Sequence, residues 1–283
     1  MIKINTPVES YYLEKPHLKN SSSKIVYVKR EDLCAPKGTP PFSKTRGLYK
    51  HLLFLKSKGI IVVGYVETSI SMAGWGVSWL AQELGMKAVI FNPVYKVPHP
   101  DTDPVLNFHR EKWKEFGAEI IGIKAGMAKV NWNICNREMR NGFVNRYSLL
   151  PLGLPLRETI DETAEEAKRM SGKYASIVVS IGSGTICSGL VKAFEPPVEI
   201  YGIMCRKGDL KRKRNKILSS SFSFQNCSLH LIDLGYEYTE KAEIETPFPC
   251  NDFYDKKAWK WLTENYYRLN KPVLFWNIGS NAI

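Results

Sequence analysis

Four stretches of the chain carry residue types at spacings that could do chemistry. Ile181-Gly-Ser-Gly-Thr-Ile-Cys-Ser-Gly189 lies between an apolar run and a helical pattern. Glycines let the backbone come close to an anion, and the following helix N-terminus would aim amide donors and positive dipole at it. The pattern serves a phosphate cradle or an unliganded strand-to-helix turn equally well. Lys44 opens a second pattern, in which Leu48, His51, Leu52 and Leu55 recur at three- and four-residue steps behind Ser43 as the expected N-cap. A lysine on that first turn meets the positive end of the helix dipole, which favours the free amine that Schiff-base chemistry requires. A solvated lysine is the plain alternative. In the third stretch, Glu67 to Gly76, the hydroxyls of Thr68, Ser69 and Ser71 could hold a substrate carboxylate or simply cap a helix. The fourth is the basic block Lys207 to Lys216, centred on Lys211, Arg212, Lys213 and Arg214. Such blocks are usually solvated faces, but a net charge of +12 also suits contact with the phosphates of DNA or RNA.

Other chemistries are poorly supplied. No histidine pair has metal-ligand spacing, and there is neither a GxSxG nor a Walker motif. The six cysteines are scattered without a CxxC pair, which suits reduced thiols in a cytoplasm and argues against a zinc site or a disulfide framework. No run approaches the ~20 apolar residues of a membrane span, and the N-terminus lacks the basic and apolar regions of a secretory signal.

The elements that must position these stretches alternate between strand and helix. Residues 1–23 read as an irregular lead-in and Ile25 to Val28 as a strand. After the Lys44 helix come strands at 59–66, 87–91 and 118–123, with helices at 72–84, 105–116 and 127–140. A second series follows Pro155. It has a helix with capping-box spacing from Thr159, strands at 177–181, 198–204 and 229–234, a helix at 255–269 and a last strand at 273–276. Continuous apolar strands between helices predict an α/β protein of parallel sheets covered on both faces.

Lys29-Arg-Glu-Asp-Leu33, the Pro/Gly-rich loop after it and Ser43-Lys-Thr-Arg-Gly-Leu-Tyr-Lys-His-Leu52 together resemble the KREDL…NKTRKLEYL segment of pyridoxal-phosphate (PLP) enzymes of the tryptophan synthase β type. The aminocyclopropane-carboxylate deaminase and D-cysteine desulfhydrase branch is the nearest in pattern, and the resemblance runs with gaps from about Lys29 to the C-terminus. It implies two open twisted sheets flanked by helices, with residues 1–53 and 143–283 forming a large PLP-binding domain around an inserted domain at 54–142. It implies that Lys44 carries PLP, that Gly182, Ser183, Gly184 and Thr185 grip the cofactor's phosphate, and that Ser71, Tyr238 and Tyr254 face the substrate. Thr68 and Ser69 belong to the same substrate loop, and Ser280 replaces a hydroxyl that meets the pyridine nitrogen. Three positions depart from the pattern. Thr185 stands for a glycine, Met72 for an asparagine that contacts the ring hydroxyl, and Ile278 for a threonine.

The sequence therefore predicts a PLP-dependent enzyme acting at the α-carbon of a small amino-acid-like substrate by deamination, elimination or replacement, or decarboxylation. The excess positive charge raises a second reading, the same chemistry on an amino-acid-modified base in DNA or RNA. The three departures raise a third, a non-catalytic descendant. A homodimer is implied by the resemblance alone.

Overall fold

The computed structural model describes residues 2–3, 5–13, 24–68, 70–94, 104–143, 146–221 and 228–281. The chain divides into two compact units: Met1–Pro36, Pro41–Ser43 and Thr159–Asn281 form the first, and Lys37–Pro40, Lys44–Glu158 and Ala282–Ile283 the second.

The first unit is built on a six-stranded sheet. Its strands are β1 (Val8–Tyr12), β2 (Ile25–Arg30), β7 (Ser176–Ile181), β8 (Glu199–Met204), β9 (Ser228–Ile232) and β10 (Val273–Asn277), in the order β1-β2-β10-β7-β8-β9. Only β1 is antiparallel, pairing Val8 with Lys29 through Tyr12 with Ile25. The expected lead-in thus contains a strand; its half-exposed edge position leaves a mixed composition with no apolar run to betray it. Helices α5 (Arg157–Lys168), α6 (Thr185–Ala193), α7 (Leu210–Ser221) and α8 (Asp255–Asn265) cover the sheet. Alternation along β7 and β10 divides the core. Ile177, Val179, Leu274 and Trp276 pack with Leu190 and Val191 of α6. Val178 and Phe275 pack with Trp259 and Leu262 of α8.

The KRED segment is scaffolding for this unit. Lys29 pairs with Glu166 and donates to the Thr6 carbonyl at 2.6 Å. Arg30 grips Asp32 with two nitrogens at 2.9 and 2.8 Å, and Asn277 of β10 donates to the same carboxylate at 2.9 Å. These buried charges are paired and hydrogen-bonded, the condition under which burial is tolerated.

The second unit holds a fully parallel four-stranded sheet, β5 (Glu119–Lys124), β4 (Lys87–Val94), β3 (Val62–Val66) and β6 (Tyr147–Leu149) in that order. Helices α1 (Thr45–Ser57), α2 (Ala73–Glu83), α3 (Pro104–Glu115) and α4 (Ala128–Gly142) accompany it. Helix α1 and strand β6 cluster with this unit, whereas sequence drew the boundary after residue 53, within α1, and placed residues 143–283 in the larger domain. The three-residue β6 is too short to show a period, and its place comes from pairing Tyr147–Leu149 with Val62–Gly64.

Two helix starts differ from expectation. Helix α1 begins at Thr45 with Lys44 as its N-cap residue, and the Ser43 hydroxyl is buried without a hydrogen-bond partner. Ser43 is held by tertiary pairing instead. Its amide donates to the Ile278 carbonyl at 3.0 Å, and the preceding Phe42 bridges Gly279. Helix α5 starts at Arg157, so Thr159 is its third residue rather than its cap. No described helix is long and apolar enough to cross a membrane.

Candidate active site

In the first unit the loops at the C-terminal ends of β7, β8, β9 and β10 come together, the edge of a parallel sheet where ligands bind in open α/β folds. The turn after β7 is the glycine stretch. Gly184 has φ +93° and is the N-cap residue of α6, which has no side-chain cap. A side chain there would be strained, and its Cβ would stand 2.9 Å from Ile217 of α7. Ser183 and Thr185 hydroxyls lie 2.8 Å apart, and the Thr185 amide is 3.4 Å from the Ser183 oxygen. Two hydroxyls and the opening amides of a helix form a donor set suited to a phosphate. The turn is formed with Thr185 in place of the pattern's glycine, the left-handed residue being Gly184.

Tyr254, just before α8, packs on this turn, with ring carbon Cε1 3.3 Å from where a Gly182 Cβ would be. Its hydroxyl lies 3.1 Å from that of Tyr238, and the Arg206 guanidinium sits 5.5 Å from the Tyr238 ring centroid. The structure thus brings together Gly182, Ser183, Gly184, Thr185, Tyr238 and Tyr254. Ser280 is buried beyond β10, its amide donating to the Pro41 carbonyl at 3.1 Å.

Sequence reasoning missed Asp255, the first residue of α8. It is buried, and it receives the Ser180 hydroxyl at 2.7 Å, the Ile278 amide at 3.3 Å and the Gly279 amide at 3.1 Å. Burial raises its pKa to about 7 against those three hydrogen bonds, with Asp32 adding a smaller upward push. An acid opening the last helix was the only signal, and it reads equally as a favourable charge at a helix N-terminus.

In the second unit the Lys44 ammonium donates to the Gly153 carbonyl at 2.8 Å, and the Gly153 amide donates to the Tyr65 hydroxyl at 3.1 Å. The 67–76 loop is organised by Glu67. Its buried carboxylate takes the Thr68 amide at 2.8 Å, the Gly74 amide and the Ser71 hydroxyl. Burial raises its pKa to about 8, opposed by those bonds and by Arg110. Ser71 also accepts the Ala73 amide at 3.0 Å, so it caps α2. Met72 is the buried N-cap residue, and Ser69 lies outside the described residues.

The basic block is split by helix α7. Lys211 and Arg212 are exposed, Arg214 donates to the Leu229 carbonyl, and Lys213 turns back to the Gly182 carbonyl at 2.6 Å. Among the described residues no group of three or more His, Cys, Asp or Glu side chains could hold a metal ion, and the five described cysteines are buried thiols.

Solved structures define the class to which this arrangement belongs. The chain superposes on an ACC deaminase homologue with a TM-score of 0.75 at 20% identity, covering 100% of this chain and 92% of that one. A hydrogen sulfide-producing enzyme from Fusobacterium nucleatum gives 0.65 at 15% identity, covering 98% and 94%. The fold is that of the tryptophan synthase β-like PLP enzymes. Residues 3–216 match the family described as pyridoxal-phosphate dependent enzyme, and the chain belongs to that family. It is also 35% identical over 291 residues to the glycyl-dTMP PLP-dependent decarboxylase of Pseudomonas phage M6, covering 99% of this chain and 100% of that protein.

Proposed function

We propose that this enzyme decarboxylates a glycyl-type amino acid attached to a thymine nucleotide. The observation that carries this reading is end-to-end similarity at 35% identity to a glycyl-dTMP decarboxylase. The net charge of +12 supports a phosphate-bearing substrate over a free amino acid.

In this reading Lys44 holds PLP through its amine, and Gly182, Ser183, Gly184 and Thr185 receive the cofactor phosphate. Bound PLP supplies an electron sink for the pair left when the α-carbon–carboxylate bond breaks. Released when the substrate amine takes its place on the cofactor, Lys44 Nζ would give a proton to that carbon, so that hydrogen replaces the carboxylate and CO2 leaves. Asp255 bonds the amides of residues 278 and 279, which lead into Ser280. Ser280 would meet the ring nitrogen of the bound cofactor, and Asp255 would fix the strand end that carries it. Tyr238 and Tyr254 orient the substrate beside the glycine turn, and Thr68 and Ser71 present the second loop.

Borohydride reduction of the PLP-loaded protein, followed by peptide mapping, should place the pyridoxyl group on Lys44. The loaded enzyme should release CO2 from a glycyl-thymidine nucleotide and not from free glycine, and Lys44→Ala should lose this turnover while staying folded. A protein that stays colourless with added PLP would support the non-catalytic reading. Turnover of free amino acids alone would return the substrate to the small-molecule class.

A further inference from the structure

Helix α7 was expected to present its basic residues to solvent, yet one of them is spent on the glycine turn. Lys213 reaches from the first turn of α7 to the Gly182 carbonyl at 2.6 Å, and its Cδ lies 3.8 Å from where a Gly184 Cβ would stand. The neighbouring contact is Ile217, one turn further along the same helix face. Lys213 is half-buried as a residue, and desolvation lowers its pKa, with the like charges of Lys216 and Arg206 adding to the effect. A carbonyl oxygen offsets little of that cost. An anion would offset it, because opposite charge favours the protonated form. The same turn offers the Ser183 and Thr185 hydroxyls and the first amides of α6, all donors without charge.

We infer that Lys213 is the cation of the glycine turn, and that its ammonium pairs with a phosphate group seated at residues 182–185. The inference rests on the proposal that this turn binds phosphate. The phosphate has two sources, the cofactor or the nucleotide substrate. Lys211 and Arg212 on the same helix face solvent and take no part.

The test compares PLP with pyridoxal, which lacks the phosphate, by fluorescence titration of the apoprotein, and dTMP with thymidine by titration of the holoenzyme. Wild type should prefer PLP strongly. Lys213→Gln should lose about ten- to a hundredfold of that preference, as expected for one charge-assisted bond, with pyridoxal affinity unchanged. Lys213→Arg, which keeps the charge, should recover most of it. If Lys213→Gln keeps the PLP preference but loses the preference for dTMP over thymidine, the pairing stands and the phosphate is the substrate's. Loss of neither preference overturns the inference while leaving the turn as a phosphate site. Equal weakening of PLP and pyridoxal also overturns it, since Lys213 would then be only a clamp on the Gly182 carbonyl. A wild type indifferent to both phosphates would instead overturn the assignment of the turn itself.

Discussion

Each unit buries a carboxyl that ties down a strand-to-helix loop, and the two are built to the same plan from different material. Glu67 takes two backbone amides and a serine hydroxyl, and so does Asp255. The partners of Glu67 are Thr68, Ser71 and Gly74, all within seven residues, so the carboxylate closes its own loop. The partners of Asp255 lie 75, 23 and 24 residues away, on β7 and after β10. A carboxyl that gathers its own loop shapes that loop alone. One that gathers the ends of two sheet strands sets the place of the glycine turn relative to the segment carrying Ser280. The plan is shared, and the consequence for a site differs.

The largest test of that difference is removal of each carboxyl. Asp255→Ala leaves a buried hydroxyl and two amides without a partner and should cost about 2–4 kcal/mol in urea unfolding. Glu67→Ala should cost about 1–3 kcal/mol, because Thr68 and Ser71 are half-exposed and water can replace part of what is lost. Only Asp255→Ala should also weaken PLP binding in the apoprotein. Equal losses of PLP affinity in both variants would erase the distinction.

A smaller effect concerns pH. Both carboxyls have folded-state pKa values raised above the unfolded ones, so each contributes stability in acid that is lost as pH rises. For Asp255 the loss runs from about 4 to about 7, and for Glu67 from about 4.5 to about 8. Asp255→Asn should flatten the urea midpoint mainly below pH 7, and Glu67→Gln should also flatten the stretch between pH 7 and 8. A wild-type midpoint that climbs through this range would contradict the burial argument.

The smallest expected effect is at the serines. Ser71→Ala removes a helix cap and should cost about 1 kcal/mol without changing PLP affinity. Ser180→Ala removes a buried bond to Asp255 and should cost about 1 kcal/mol while lowering PLP affinity a few-fold. A larger effect on PLP from Ser71→Ala would make the 67–76 loop the more critical support.

Much of the site could be read in the chain because it is local. The glycine turn is written in consecutive residues after an apolar strand, and Gly184 takes the positive φ that only that residue type accepts easily. The central strands β3, β7 and β10 are continuous apolar runs because both faces are covered. Short or edge elements left no such trace: β1 is half-exposed and β6 has three residues. The hydroxyl cluster at 68–71 read as a substrate loop or a helix cap, and the Ser71 hydroxyl accepts the first amide of α2.

By itself the sequence determined the α/β class, the strands of both sheets apart from β1 and β6, the place of the glycine turn, and through its motifs the PLP-dependent family. Periodicity and turn chemistry act over a few residues, so they survive in a string of letters. Only the tertiary structure decided that Ser43 is held by Ile278 rather than capping a helix, and that Asp255 joins Ser180 to residues 278 and 279. It alone separated Lys213, turned onto Gly182, from Lys211 and Arg212 in solvent. Those outcomes depend on which distant groups meet once the core has packed, because a buried charge or hydroxyl is stable only beside partners that sequence spacing does not specify.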